Sequence, residues 1–181
     1  MPKVNILIKG YVSEKSDDTS CCTITLVQDG KNKMVVDPGT AKSQKLIVNA
    51  LKIHNLKPKD ITHVCITHSH MDHYRNIGMF PNAKALDYWG LWDGDKLTEQ
   101  KSQFAKNIKI IKTPGHNYDG ITLLVKTTQG IIAICGDVFW KKDYPKADPY
   151  ASNKLKLVQS RAKVLKLADF IIPGHNDIYK P

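Results

Sequence analysis

The chain has little arginine, few cysteines and no long apolar run, and each shortage excludes a class of protein. Of 27 basic residues only Arg75 and Arg161 are arginine. Arginine grips phosphate with a rigid two-pronged fork, whereas lysine spread along a chain usually marks a solvated surface. The net charge of +10 is therefore a weaker nucleic-acid signal than its size implies, although an RNA partner stays open. The four cysteines form neither a C-x-x-C pair nor a disulfide framework, since Cys21 and Cys22 are adjacent while Cys65 and Cys135 sit in apolar runs. They read as buried thiols in a reducing compartment. No segment approaches the ~20 apolar residues of a membrane span. The opening run MPKVNILIKGYV is broken at Lys9 and Gly10, too early for a signal peptide. The expectation is a soluble cytoplasmic protein without a membrane partner. No repeat or linker divides the 181 residues, so residues 1–181 read as one domain.

What is present is a series of short β-branched runs bounded by Gly, Pro, Asp or Asn. VNILIKGYV, CTITLVQDG, MVVDPG, THVCITH, IKIIKTPG, ITLLVKT and IIAICGD all read as strands. The DGK between Leu26 and Met34 reads as a hairpin turn. Two stretches carry helical spacing. In residues 43 to 56, Leu46, Ile47, Ala50, Leu51 and His54 share one side, and Lys57-Pro58 ends the helix. In residues 153 to 168, the apolar stripe is Leu155, Val158, Ala162, Leu165 and Ala168, with Lys156, Gln159, Lys163 and Lys166 turned outward. Strands mixed with helices in one domain predict an α/β layered fold.

The chemistry concentrates where strand-like runs end. THVCIT leads into His68, IKIIKTPG into His116, IIAICG into Asp137 and FIIPG into His175. Loops beyond strand ends are where sites assemble. His68 and His70 stand two apart and project to one side of an extended backbone. Asp72 and His73 follow where a helix can begin, a position that favours a carboxylate. With His116, Asp137 and His175 they make seven potential ligands, all imidazole or carboxylate. Zinc takes four or five, so one ion would leave polar groups idle while two would use them all. His54 and His63 have no partners in the pattern and read as structural.

The ordered set THSHMDH, TPGHN, CGDVFW and IPGHN resembles the metal motifs of the metallo-β-lactamase superfamily, and VVDPG resembles its early aspartate motif. That resemblance implies a four-layer αββα sandwich with its site at one edge of two packed sheets. It also implies that His68, His70 and His116 hold one metal and Asp72, His73 and His175 a second, with Asp137 bridging both. Asp37 would stand behind the ligands and orient them. The cofactors implied are two divalent ions, zinc first, with iron or manganese suiting the same nitrogen and oxygen donors.

The function this implies is hydrolysis of a small ester, thioester, lactone or amide by a metal-bound hydroxide, β-lactams included, with Asp72 as the catalytic carboxylate. The alternative is a metal-dependent ribonuclease or phosphodiesterase acting on RNA or DNA, drawn from the basic charge. A metal-based redox protein is a third reading, weakened by the lack of a flavin domain. Two aromatic loops, residues 87–96 and 139–153, supply candidate pocket walls in Trp89, Trp92, Trp140, Tyr144 and Tyr150. The oligomeric state stays open, a homodimer included.

Overall fold

A computed structural model describes residues 1–13, 19–99 and 101–181. The β-branched runs become strands: β1 (Lys3–Ile8), β2 (Tyr11–Val12), β3 (Ser20–Cys21), β4 (Ile24–Asp29), β5 (Asn32–Val36) and β6 (His63–Cys65). Further along come β7 (Lys84–Leu86), β8 (Leu91–Asp93), β9 (Lys96–Thr98), β10 (Gln103–Ala105), β11 (Ile108–Lys112), β12 (Ile121–Thr127), β13 (Gly130–Ile134) and β14 (Phe170–Ile172). The helices are α1 (Gln44–Ile53), α2 (Met71–Tyr74) and α3 (Lys154–Leu167). Gly30 (φ 59°) takes the left-handed turn of the β4–β5 hairpin, where Asp29 faces Asn32, as the DGK signal predicts.

One sheet runs β1-β4-β5-β6-β7-β8-β9 and the other β10-β11-β12-β13-β14, with β2 and β3 forming a small separate ribbon. Between the large sheets lies one core, in which Val27, Met34, Val36 and Cys65 meet Ile108, Leu123, Val125 and Ile172. Alternation along the strands serves the outer faces too. Leu26 and Val35 turn outward against Ile47 and Leu51 of α1, and Leu124 and Ala133 turn outward against Leu157 and Val164 of α3. The layers are thus α, β, β, α. Each fully buried Leu or Ile contributes roughly 1.5–3 kcal/mol. All four cysteines are buried and free. No helix among the described residues is long and apolar enough to cross a membrane.

Helix α1 begins at Ser43, whose side chain accepts the Lys45 N–H, and ends before Asn55 (φ 56°). Of its expected apolar side, Ile47 and Leu51 are buried but Leu46 is exposed. Helix α3 corrects the sequence expectation more sharply. Its predicted apolar stripe faces water, with Leu155 69% and Val158 62% exposed, while Leu157, Ser160 and Val164 are buried. Polar residues disguise the true inner face. Ser160 Oγ donates to the Pro114 carbonyl and Arg161 Nε to the Val138 carbonyl, so both place polar atoms on backbone beneath the helix. Leu157 lies directly on Gly115, where any side chain would collide with it.

Candidate metal centre

Strand direction gathers the ligand-type residues. β11 and β13 are both antiparallel to β12 and so run the same way, and β14 is parallel to β13. His116, Asp137 and His175 therefore leave one edge of this sheet. β5 and β6 are likewise parallel, and Asp37, Thr67 and His68 follow their ends. Asp137 lies on a turn that Gly136 enters with φ 51°, against the Thr67 side chain. Gly174 passes so close to Asp137 Oδ1 that a Cβ there would overlap it.

All seven predicted residues converge. His68 Nε2 and His116 Nε2 lie 3.1 and 3.0 Å from His70 Nδ1. His73 Nε2 and His175 Nε2 lie 3.3 and 3.2 Å from Asp137 Oδ1, and His116 Nε2 lies 3.4 Å from Asp137 Oδ2. Asp72 Oδ2 stands 3.6 Å from His175 Nε2 and 3.9 Å from His73 Nε2. Asp137 thus sits between His73 on Oδ1 and His116 on Oδ2, with His175 Nε2 at 3.2 Å from both oxygens. His54 and His63 take no part; His63 packs edge-on against Phe104.

Partners on the outer nitrogens aim the rings. Asp37 Oδ2 meets His73 Nδ1 at 2.8 Å and is itself fixed by the Thr67 hydroxyl at 2.7 Å. Its other oxygen accepts the Thr67 N–H at 2.7 Å, and Asp37 holds a left-handed φ of 49° to do so. The Cys21 carbonyl lies 3.1 Å from His175 Nδ1. Asp148 Oδ2 lies 2.6 Å from His116 Nδ1. Each of these contacts leaves Nε2 free to face inward.

Burial and charge pull the group apart electrostatically. Burial pushes His68 well below the usual imidazole range, and burial with the His116 charge lowers His70. Burial would lower His73 too, but the Asp137 and Asp37 carboxylates overcome it and raise it well above that range. Asp137 resists its own burial through His175 and His73, which hold it well below the carboxylate range. His73 Nε2 and Asp137 Oδ1 are nevertheless buried without a hydrogen-bond partner. Orphaned polar atoms in a shell of imidazole and carboxylate are what a divalent cation would satisfy. Among the described residues, three triads have ligand atoms within 4.8 Å of one another: His68, His70 and His116; His68, His73 and Asp137; Asp72, His73 and His175. The donor set fits divalent ions.

The centre opens into a cavity of about 610 Å³. Trp140, Tyr144 and Tyr150 form one wall, and Val12, Thr19 and Ser20 of the β2–β3 ribbon belong to another. Trp89 and Trp92, expected as walls, do not line it. The Trp92 indole donates to Asp87 Oδ2 at 3.2 Å, and Trp89 lines a separate cavity. Two contributors escaped the sequence reading. Ser20 Oγ donates to Asp72 Oδ2 at 2.5 Å, and Asp148 backs His116. For Asp148 the available signal was an acid within the aromatic loop that follows the GDVF motif; Ser20 gave none.

The profile of the metallo-beta-lactamase superfamily matches residues 21–97. Metallo-beta-lactamase domain-containing protein 1 of Xenopus laevis is 30% identical across 98% of this chain and 81% of its own length. A probable metallo-hydrolase of Methanocaldococcus jannaschii is 31% identical over 80% of this chain and 71% of its own. The crystal structure of a putative metallo-beta-lactamase from Thermotoga maritima shares the fold with a TM-score of 0.78 at 22% identity, covering 99% of both chains. The chain belongs to the metallo-β-lactamase superfamily. Within it, the chain is a metal-dependent hydrolase.

Proposed function

We propose that the protein binds two divalent ions, zinc by preference, and hydrolyses small uncharged esters, thioesters, lactones or amides. The observation that carries this reading is Asp137, buried with His73 at Oδ1, His116 at Oδ2 and His175 beside both, and with Oδ1 lacking a hydrogen bond. In this reading His68, His70 and His116 hold one ion, Asp72, His73 and His175 the other, and Asp137 both. Bound there, such ions activate water near neutral pH and polarise a carbonyl oxygen. The chain supplies the rest. Asp37, Asp148 and the Cys21 carbonyl fix the imidazole rings by Nδ1 and so aim Nε2 inward. Ser20 fixes Asp72, which lines the cavity, and an Asp72 oxygen not held by an ion can take a proton from the attacking water and return it to the leaving group. Trp140, Tyr144 and Tyr150 offer apolar faces to the part of the substrate that does not react.

Among the described residues that line this cavity there is no lysine or arginine, which favours an uncharged substrate over a phosphodiester. The test is a panel of esters, lactones, amides and RNA assayed from about 50 to 200 mM salt, where RNA binding through several phosphate contacts falls by roughly 1,000-fold or more. Small-substrate hydrolysis indifferent to salt is the expected result. Salt-sensitive RNA cleavage, with every small substrate inert, would replace this reading with the nuclease one.

A further inference from the structure

The segment DYWGLWDGDK takes no part in the centre described above, and Trp89 within it is 57% exposed. It borders a second cavity of about 260 Å³ that shares no lining residue with the first, although His68 of the metal centre reaches its wall. Tyr74, Tyr88, Trp89 and Tyr118 supply aromatic walls, and Asp87 and Asp119 supply carboxylates. Among the described residues no lysine or arginine lines it, in a chain of net charge +10. The Tyr88 and Trp89 rings meet at 80° with centroids 5.1 Å apart, making a corner of two aromatic faces. Tyr118 is 62% exposed, a large ring left open to water.

The carboxylates give the cavity its sign. Asp87 is occupied, since Oδ1 accepts the Trp89 and Gly90 N–H groups and Oδ2 the Trp92 indole. Asp119 is not. It is only 6% exposed, yet both its oxygens share one donor, the Ser69 N–H, at 3.1 and 3.4 Å. Among the described residues it has one donor and no counter-ion, which is expensive for a buried carboxylate, and a cation in the cavity would offset that cost. The kind of cation follows from the walls. Magnesium and calcium take oxygen ligands and waters, and would leave the aromatic walls without a role. Aromatic faces attract ammonium groups through the ring quadrupole, and most strongly from Trp. Lys112 Nζ, which lies outside this cavity, already sits 3.9 Å from the Tyr88 ring centre. We propose that this cavity is a binding site for a small alkylated ammonium ion of about the size of choline. The proposal is independent of the reaction assigned to the metal centre.

The test titrates the metal-loaded full chain with choline chloride, at ionic strength held constant with potassium chloride, and follows the tryptophan indole N–H signals by NMR. A parallel titration uses 3,3-dimethylbutan-1-ol, which has the shape of choline without its charge. Choline should bind saturably, shift the Trp89 indole, and bind about tenfold more tightly than the alcohol. Trp89→Leu and Tyr118→Leu, both at exposed positions, should each weaken choline while leaving the folded spectrum intact. Asp119→Asn should weaken choline but not the alcohol. Equal affinity for choline and the alcohol would mean an apolar crevice and overturn the proposal. So would the absence of saturable choline binding, or choline binding that survives the combined loss of Trp89 and Tyr118.

Discussion

Replacing Asp148 with Asn changes one atom's chemistry behind the metal centre, and the consequence can be worked through atom by atom. Asp148 is buried, with Oδ2 at 2.6 Å from His116 Nδ1 and Oδ1 accepting the Tyr150 N–H at 2.9 Å. The carboxylate accepts from both donors at once. An amide cannot. If its oxygen stays with Tyr150, its NH2 group donates to His116 Nδ1 and drives the ring proton onto Nε2, the nitrogen that faces the centre. If its oxygen turns to His116 instead, the Tyr150 N–H meets a second donor. Either way, His116 becomes a poorer ligand. Loss of such a backing carboxylate lowers metal affinity about 10- to 100-fold, or roughly 1.4–2.7 kcal/mol. A competition titration of the metal-free protein against a chromogenic chelator reads this directly, with circular dichroism as the check on folding. Asp148→Ala leaves His116 Nδ1 buried and unpaired, so it should also lower the melting temperature, by an amount equivalent to about 1–3 kcal/mol. Asp148→Asn that keeps parental affinity and a parental fold would refute the positioning role.

The face of α3 makes a stability prediction. Leu157→Ala should cost about 2–5 kcal/mol in denaturant unfolding, whereas Leu155→Ala, on the exposed stripe, should stay within about 0.5 kcal/mol of the parent. The reverse ranking would mean that the helix packs by its other side. Gly174→Ala puts a methyl group where Asp137 Oδ1 stands. Metal content should fall in that variant even if the protein remains folded, and full loading would show that Asp137 can retreat without loss. His116→Ala should cost at least ~100-fold in hydrolysis, because the centre loses a ligand and its geometry together. His63→Ala, outside the centre, should leave kcat/KM near the parental value; an equal loss in a folded His63→Ala protein would overturn the ligand set.

The strand ends were the legible part of this protein. His68, His116, Asp137 and His175 each follow a β-branched run, and parallel strand direction was enough to bring those ends to one edge. The αββα order came from the resemblance of the metal motifs to the superfamily, and in the structure Leu26 and Val27, or Leu123 and Leu124, divide between two apolar environments accordingly. What stayed hidden depends on contacts between distant segments. Ser20 reaches Asp72 across 52 positions, and Asp148 reaches His116 across 32, with no local periodicity to announce either. The strands β7 to β10 are three residues each, and β9 is exposed throughout, so pairing rather than composition defines them. The inner face of α3 was misread because Ser160 and Arg161 bury polar groups on backbone carbonyls, while leucine and valine occupy the wet side. Trp92 was misplaced for a related reason. Its indole is held by Asp87 within the sheet edge rather than offered to the cavity.

Asp137 would join two ions into one centre. Elemental analysis of the purified protein, alongside Asp137→Asn, measures that directly. Two divalent ions per parental chain are expected, with loading at both positions reduced and hydrolysis lost in the folded variant. A single ion per parental chain, or an Asp137→Asn protein that keeps both ions and its activity, would contradict it.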